Sequence, residues 1–179
     1  MLKKTSKVAF AGLICALSLV CMLLTVIPTM EIGLPILAGV FLTVLVMELG
    51  LKWGILGYVA VAILSLLLAP SFESRILFVV FFGYYPVVKA AIERLRSTAA
   101  CWAVKIFLFN FAVGGAYYLL LRFTTALPKD DFMAFGAYLP AVALFVGNIV
   151  FVVYDIALSR VITAYVRVWQ SKLRKILHL

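Results

Sequence analysis

The stretch VAFAGLICALSLVCMLLTVI, residues 8–27, contains no charged side chain over 20 residues. An α-helix needs about 20 apolar residues to cross the roughly 30 Å of hydrocarbon in a bilayer. Lys3, Lys4 and Lys7 precede the stretch, as basic residues precede the core of a removable signal peptide. The stretch is longer than such a core, and no small-x-small cleavage site follows it. We therefore interpret it as a retained first transmembrane helix.

The composition of the whole chain points in the same direction. Hydrophobic residues make up 66% of the 179 residues and charged residues only 13%, with a mean hydropathy of +1.20. A soluble domain is about half apolar and about a quarter charged, so the polar surface here is too small for a water-soluble protein. The composition predicts an integral membrane protein. Topology and anionic lipid explain the net charge of +9, so nucleic acid is not required as a partner.

Further apolar segments follow the first one, and turn residues such as Pro28, Gly50 and Pro70 separate them. The predicted membrane spans are 8–27, 32–51, 54–69, 76–92, 99–121 and 137–158. Residues 1–158 are therefore expected to form an all-α bundle of six transmembrane helices.

Lysine and arginine are distributed unevenly between the connections. If the N-terminus is cytoplasmic, all but three of the 16 basic residues fall on the inner side, and the exceptions are Arg75, Arg122 and Lys129. Because cytoplasmic loops of membrane proteins carry an excess of Lys and Arg, both termini are predicted to be cytoplasmic.

The tail, residues 159–179, separates apolar from basic residues at helical spacing. This pattern predicts a basic amphipathic helix that lies on the cytoplasmic leaflet or against a protein partner. The residues expected at the membrane surface are Arg167, Trp169, Lys172, Arg174 and Lys175.

The first helix carries two neighbouring stripes of small residues. Small side chains let helices approach closely in a membrane, either within one chain or between subunits. Both interpretations stay open. The candidate residues for docking a partner subunit are Ala9, Ala11, Gly12, Cys15 and Ala16.

The sequence GYYP, residues 83–86, interrupts the fourth apolar segment. Pro86 cannot donate a backbone hydrogen bond, and its ring clashes with the carbonyl of Phe82, so we expect a kink near mid-membrane. The freed carbonyls need a neighbour, water or a ligand as partner. The hydroxyls of Tyr84 and Tyr85 also need partners at this depth. The segment is either a kinked packing helix or a kink that contacts a solute.

Two asparagines lie near the middle of the last two spans, where each amide must find a hydrogen-bond partner in the bundle interior. They either join helices or line a solute site together with the tyrosines. The candidate substrate-binding residues are Tyr84, Tyr85, Asn110, Tyr117 and Asn148.

Four charged residues lie toward the inner ends of apolar segments. Lys89 is expected to extend its ammonium group to the membrane interface. Glu48, Lys105 and Asp155 are expected to group between helices near the inner surface.

The sequence contains no recognisable catalytic constellation. Its only histidine is His178, and Cys15, Cys21 and Cys101 lack metal-ligand spacing. A phosphate-binding glycine loop is also absent. We therefore predict that the chain is not an enzyme and holds neither a metal nor a cofactor.

These features together resemble the substrate-binding S components of energy-coupling factor (ECF) transporters. The likeness rests on six helices with a basic start, on Gly-Leu-Pro-Ile entering the second helix at 33–36, and on the turn Gly-Leu-Lys-Trp-Gly-Ile at 50–55. The family docks its partner through Ala-x-x-x-Ala on the first helix. The nearest matches here are Ala11-x-x-x-Cys15 and Gly12-x-x-x-Ala16.

The resemblance implies a multi-pass protein of the bacterial plasma membrane that binds a small vitamin-like solute between the outer halves of its helices. It also implies a transmembrane coupling subunit and ATPase subunits as partners. A metal-ion cargo is disfavoured, because the N-terminal histidine of the metal-transporting members is absent. One alternative is a polytopic scaffold or assembly protein, similar to the MreD-type proteins, without transport activity. A free-standing small transporter is a third possibility, although clearer mid-membrane charges would be expected of it.

Overall fold

The computed structural model describes residues 4–123 and 139–170, and all regular elements within these residues are helical. The α-helices are α1 (Lys4–Leu23), α2 (Gly33–Leu49), α3 (Leu51–Leu68), α4 (Phe72–Leu77), α5 (Tyr85–Ile92), α6 (Thr98–Phe123) and α7 (Leu139–Ala164). Two π-helical segments, Phe78–Phe82 and Tyr165–Trp169, follow α4 and α7. We call α4, Phe78–Phe82 and α5 together the kinked helix.

Helix length and composition fit a multi-pass membrane protein. Counting the kinked helix as one, the described residues form six helices, which is the predicted number. Five stretches are long and apolar enough to cross a membrane, namely Thr5–Val26, Leu51–Leu68, Phe72–Ile92, Thr98–Gly115 and Leu144–Val168. The remaining helix, α2, is apolar but has only 17 residues. The all-α class is confirmed, while the orientation of the termini stays a prediction.

The kinked helix begins at Phe72, earlier than the predicted residue 76. The reason is an N-terminal cap, because the Ser71 hydroxyl oxygen accepts a hydrogen bond from the Ser74 amide at 3.3 Å. Glu73 in the first turn also favours this end of a helix, where the backbone dipole is positive.

The first three helices pack closely against one another. Met22, Leu42 and Val61 are fully buried in their shared core. In addition, the Ser18 hydroxyl on α1 donates to the Ala38 carbonyl on α2 at 2.9 Å. We call α1, α2 and α3 the three-helix unit.

The kinked helix packs between this unit and the pair formed by α6 and α7. Aromatic rings make most of the second contact. The Phe81 and Tyr85 rings of the kinked helix stack with their centroids 4.9 Å apart. Phe109 on α6 and Phe151 on α7 stack at 4.6 Å, and both meet Phe81 edge-on. The kinked helix is therefore the central element of the bundle.

Hydrogen bonds identify the two ends of the bundle. At one end the Tyr165 hydroxyl, just beyond α7, donates to Glu48 on α2 at 3.1 Å. This end also holds the start of α1 and the α5–α6 connection, and we call it the basic end. At the other, which we call the far end, the Ser74 hydroxyl donates to the Glu31 carbonyl at 2.8 Å. The basic end is the one predicted to be cytoplasmic.

The described part of the tail, residues 159–170, continues the last helix of the bundle. No break occurs at the predicted boundary of 158, since α7 continues to Ala164 and then into the π-helical segment. Tyr165 and Val168 line a groove of about 600 Å³ together with α1 and α2. Arg167 is exposed. The rest of the tail, with Lys172, Arg174 and Lys175, lies outside the described residues.

Candidate functional site

The GYYP sequence produces the expected kink, and neighbouring helices contact the carbonyls that it frees. The Gly83 amide bonds to the Phe78 carbonyl at 2.7 Å, which is the wider π-helical spacing. The Tyr58 hydroxyl on α3 donates to the Val79 carbonyl at 2.7 Å. Gly39 on α2 packs directly on the Phe82 carbonyl, where any larger residue would clash. Proline leaves this carbonyl without its usual amide partner, and the backbone of α2 covers it.

A cleft of about 450 Å³ lies in the far half of the bundle. Its walls come from the start of α2, the kinked helix, α6 and α7. They are almost entirely apolar, with Ile36, Phe82, Ala112 and Val150 as examples from the four helices. A cleft of this volume and chemistry can hold a mainly apolar small molecule.

Beneath the cleft, toward the basic end, lies a group of buried charges. Asp155 on α7 is only 3% exposed and accepts hydrogen bonds from three side chains. The Tyr85 hydroxyl donates to Asp155 Oδ1 at 2.5 Å, and Lys105 Nζ on α6 donates to Oδ2 at 2.9 Å. Lys89 Nζ, from a side chain that is 0% exposed, also bonds to Oδ1.

Glu93, at the end of α5, closes this network. Its Oε1 lies 2.9 Å from Lys89 Nζ and 3.1 Å from Lys105 Nζ. Partial burial acts to raise the pKa of Glu93, but the hydrogen bonds from the two lysines outweigh it and hold that pKa below its usual value. We call Lys89, Glu93, Lys105 and Asp155 the charge cluster. Its two positive and two negative charges cancel.

The prediction for Lys89 was wrong. Its ammonium group does not reach the interface, because the whole side chain is buried and paired with Asp155. Lys105 and Asp155 do meet, as expected, and Glu93 completes their network. Glu48, which was expected there, instead accepts a hydrogen bond from Tyr165. The sequence did contain a signal for the pairing of Lys89 with Glu93, because the two residues lie one helical turn apart beside an apolar segment.

Among the candidate substrate-binding residues, none with a described side chain lines the cleft. Tyr85 is fully buried in the network above, and Tyr84 packs edge-on against Tyr58 at 6.2 Å. The side chain of Tyr117 lies outside the described part of the structure. The aromatic residues that line the cleft were not among the substrate-binding candidates predicted from the sequence.

The two asparagines bond to each other across α6 and α7. Asn110 Nδ2 donates to Asn148 Oδ1 at 3.1 Å, and Asn148 Nδ2 donates to Asn110 Oδ1 at 3.0 Å. Each amide also donates to the carbonyl one turn before it, at 2.8 and 2.7 Å respectively. The pair therefore joins two helices without needing a solute. This favours the interpretation that the asparagines connect helices over the one in which they line a solute site.

The small residues of α1 divide between two faces. Ala11 is buried, and the Cys15 sulfur lies 4.0 Å from the Gly57 carbonyl oxygen on α3, so both serve packing within the chain. Ala9, Gly12 and Ala16 are exposed on the outer face of α1. Only this second stripe remains available to a partner subunit.

No protein-family model matches the chain, and no curated protein or solved structure matches it. The far-half cleft and the charge cluster beneath it are therefore the features from which a function is inferred.

Proposed function

We propose that the chain is a membrane-embedded subunit that binds a small solute for uptake across the bacterial plasma membrane. The observation that carries this proposal is the cleft of about 450 Å³. Protein sites for small molecules are concave and mostly apolar, with volumes of about 300–1,000 Å³. With the predicted topology, the cleft lies in the outer half of the bundle, where a solute arrives.

The walls of the cleft restrict which chemical class of solute can bind. Phe81, Phe82, Phe109 and Phe151 contribute four aromatic rings, and aromatic groups favour offset-stacked or edge-on contacts with one another. Burying a charged group among such rings is unfavourable without a paired charge. The preferred solute is thus a vitamin-like molecule with an apolar or aromatic ring.

Energy for uptake is proposed to come from partner ATPase subunits through a transmembrane coupling subunit. This part rests on the resemblance to S components. The exposed stripe of Ala9, Gly12 and Ala16 on α1 supports it, because small residues let a second helix approach closely. The chain itself carries no nucleotide-binding motif.

Mass spectrometry of small molecules that co-purify with the protein tests the proposal. Val150→Trp places a large ring in the cleft and is expected to remove the bound compound. Val153→Trp is the matched control, because Val153 lies on the same helix, is 62% exposed against 61% for Val150, and does not line the cleft.

Loss of the compound from the first variant and its retention by the second supports the binding function. If wild-type protein carries no compound beyond lipid and detergent, or if both variants retain it equally, a scaffold without a solute site becomes the better explanation.

A further inference from the structure

The charge cluster is divided between two parts of the bundle. Lys89 and Glu93 belong to the kinked helix and its end, and they pair with each other at 2.9 Å. Lys105 and Asp155 belong to α6 and α7, and they pair at 2.9 Å. Each part therefore carries one positive and one negative charge, and each is neutral by itself.

This division determines the free-energy cost of separating the two parts. Parting a buried ion pair is normally very unfavourable, because it leaves a charge without a partner in a medium of low dielectric constant. Here, moving the kinked helix away from α6 and α7 breaks the contacts of Asp155 with Lys89 and Tyr85, and that of Lys105 with Glu93. Every lysine nevertheless keeps a carboxylate on its own side. We call the contact between the kinked helix and the α6–α7 pair the kink interface.

The same interface contains the cleft. Phe81 and Phe82 form its wall on the kinked helix, and Ala112 and Val150 form its wall on α6 and α7. The floor is the stack of Phe81 on Tyr85, whose hydroxyl bonds to Asp155. The cleft thus ends where the charge cluster begins. Parting the interface at that level extends the cleft toward the basic end.

Two further features suit the kink interface to movement. The π-helical segment separates α4 from α5, and Pro86 lies in the first turn of α5; such interruptions are the usual places where helices bend. The Tyr154 ring packs on Phe82 and Tyr85, with centroids at 5.6 and 5.9 Å, and its buried hydroxyl has no hydrogen-bond partner among the described residues. Water entering a parted interface would satisfy that hydroxyl.

We propose that the kink interface is a gate, closed in this structure by the charge cluster, through which a solute leaves the cleft toward the basic end. The division of the cluster into two neutral pairs allows the gate to open without a proton or a counter-ion. As a route for solute, the gate rests on the proposed function. As a moving interface, it is tested separately.

Two double variants distinguish a gate from a static cluster. Glu93→Gln with Lys105→Gln leaves Lys89 and Asp155 as the only pair, and this pair crosses the interface. Lys89→Gln with Glu93→Gln leaves Lys105 and Asp155, which lie on the same side. Both variants keep the cluster neutral and both lack Glu93, so they differ only in which lysine remains. The variant that retains Lys89 should favour the closed gate, and the variant that retains Lys105 should favour the open gate.

The measurement is a distance distribution between spin labels at Arg94→Cys and Arg160→Cys, in nanodiscs, with the three native cysteines replaced by alanine. Both label positions are exposed and flank the interface at the basic end. Wild-type protein should show a short and a long population. The ratio of long to short should be at least about tenfold higher in the Lys105-retaining variant than in the Lys89-retaining variant, because opening the latter separates its only ion pair.

Equal distributions in the two variants, or one unchanging population in all three proteins, would overturn the gate even if a solute co-purifies. A difference in the expected direction supports a moving interface, whether or not a solute is found. If no solute co-purifies, only the proposed binding function fails.

Discussion

At the scale of single residues, Asp155 determines how the half of the bundle nearer the basic end is held together. Its carboxylate receives bonds from Tyr85, Lys89 and Lys105, which belong to two different helices outside α7. The Asp155 side chain is only 4% exposed, so solvent cannot replace these partners. The carboxylate therefore compensates two buried ammonium groups that would otherwise share only the half-exposed Glu93.

Asp155→Asn is expected to lower the free energy of unfolding by about 3 kcal/mol, because removing one partner of a buried ion pair leaves an uncompensated charge. Chemical unfolding in mixed micelles measures the change. Lys52→Gln is the control, since Lys52 is exposed at the basic end, and it should change the free energy by less than about 0.5 kcal/mol. Equal stability of the two variants would mean that the charge cluster contributes nothing to folding.

At the scale of helices, the kinked helix depends on its neighbours as much as on Pro86. Tyr58 supplies a donor to the Val79 carbonyl from α3, and Gly39 lets α2 lie against the Phe82 carbonyl. These contacts fix the kink against the three-helix unit, while the aromatic rings of Phe81 and Tyr85 face the other way.

Gly39→Ala tests the contact between α2 and the kinked helix. The added methyl group would overlap the Phe82 carbonyl oxygen, so the two helices must shift apart at a cost of about 1–3 kcal/mol. Thermal unfolding in detergent should show a lower midpoint. The matched control is Gly114→Ala on α6, where a new methyl group meets no neighbour within 4 Å and should be neutral or stabilising. Equal midpoints for the two variants would contradict the close approach.

At the scale of the whole molecule, the sequence predicted the number and rough bounds of the helices, because apolar length and turn residues are local properties. It predicted that Lys105 and Asp155 would meet, but it did not predict the rest of the charge cluster, in which Lys89 pairs with Asp155 from 66 positions away. Such contacts depend on which faces of the helices meet, and helices that are apolar all round give no periodic signal for this. The aromatic walls of the cleft were missed for the same reason.

The predicted topology also belongs to this scale. A reporter fused after Leu179 should read cytoplasmic and one inserted beside Lys129 should read external, because Lys and Arg concentrate at the basic end. Paired alkaline phosphatase and fluorescent protein fusions measure this. A C-terminus that reads external would contradict six spans with a cytoplasmic N-terminus. If the reporter beside Lys129 then reads cytoplasmic, the bundle is inverted and the cleft lies on the cytoplasmic side.

The unbroken course of α7 into its π-helical continuation has a mechanical consequence. From Leu139 to Trp169 the helix is about 45 Å long at a rise of ~1.5 Å per residue, which exceeds the roughly 30 Å of hydrocarbon. If the chain spans the membrane as predicted, this helix extends beyond the hydrocarbon core, and its α-helical part runs without a break from Asp155 to Ala164 at the basic end. A tilt of α7 at the level of Asp155 would therefore displace Ala164 sideways, and the backbone of this one helix would carry the movement to the basic end of the bundle.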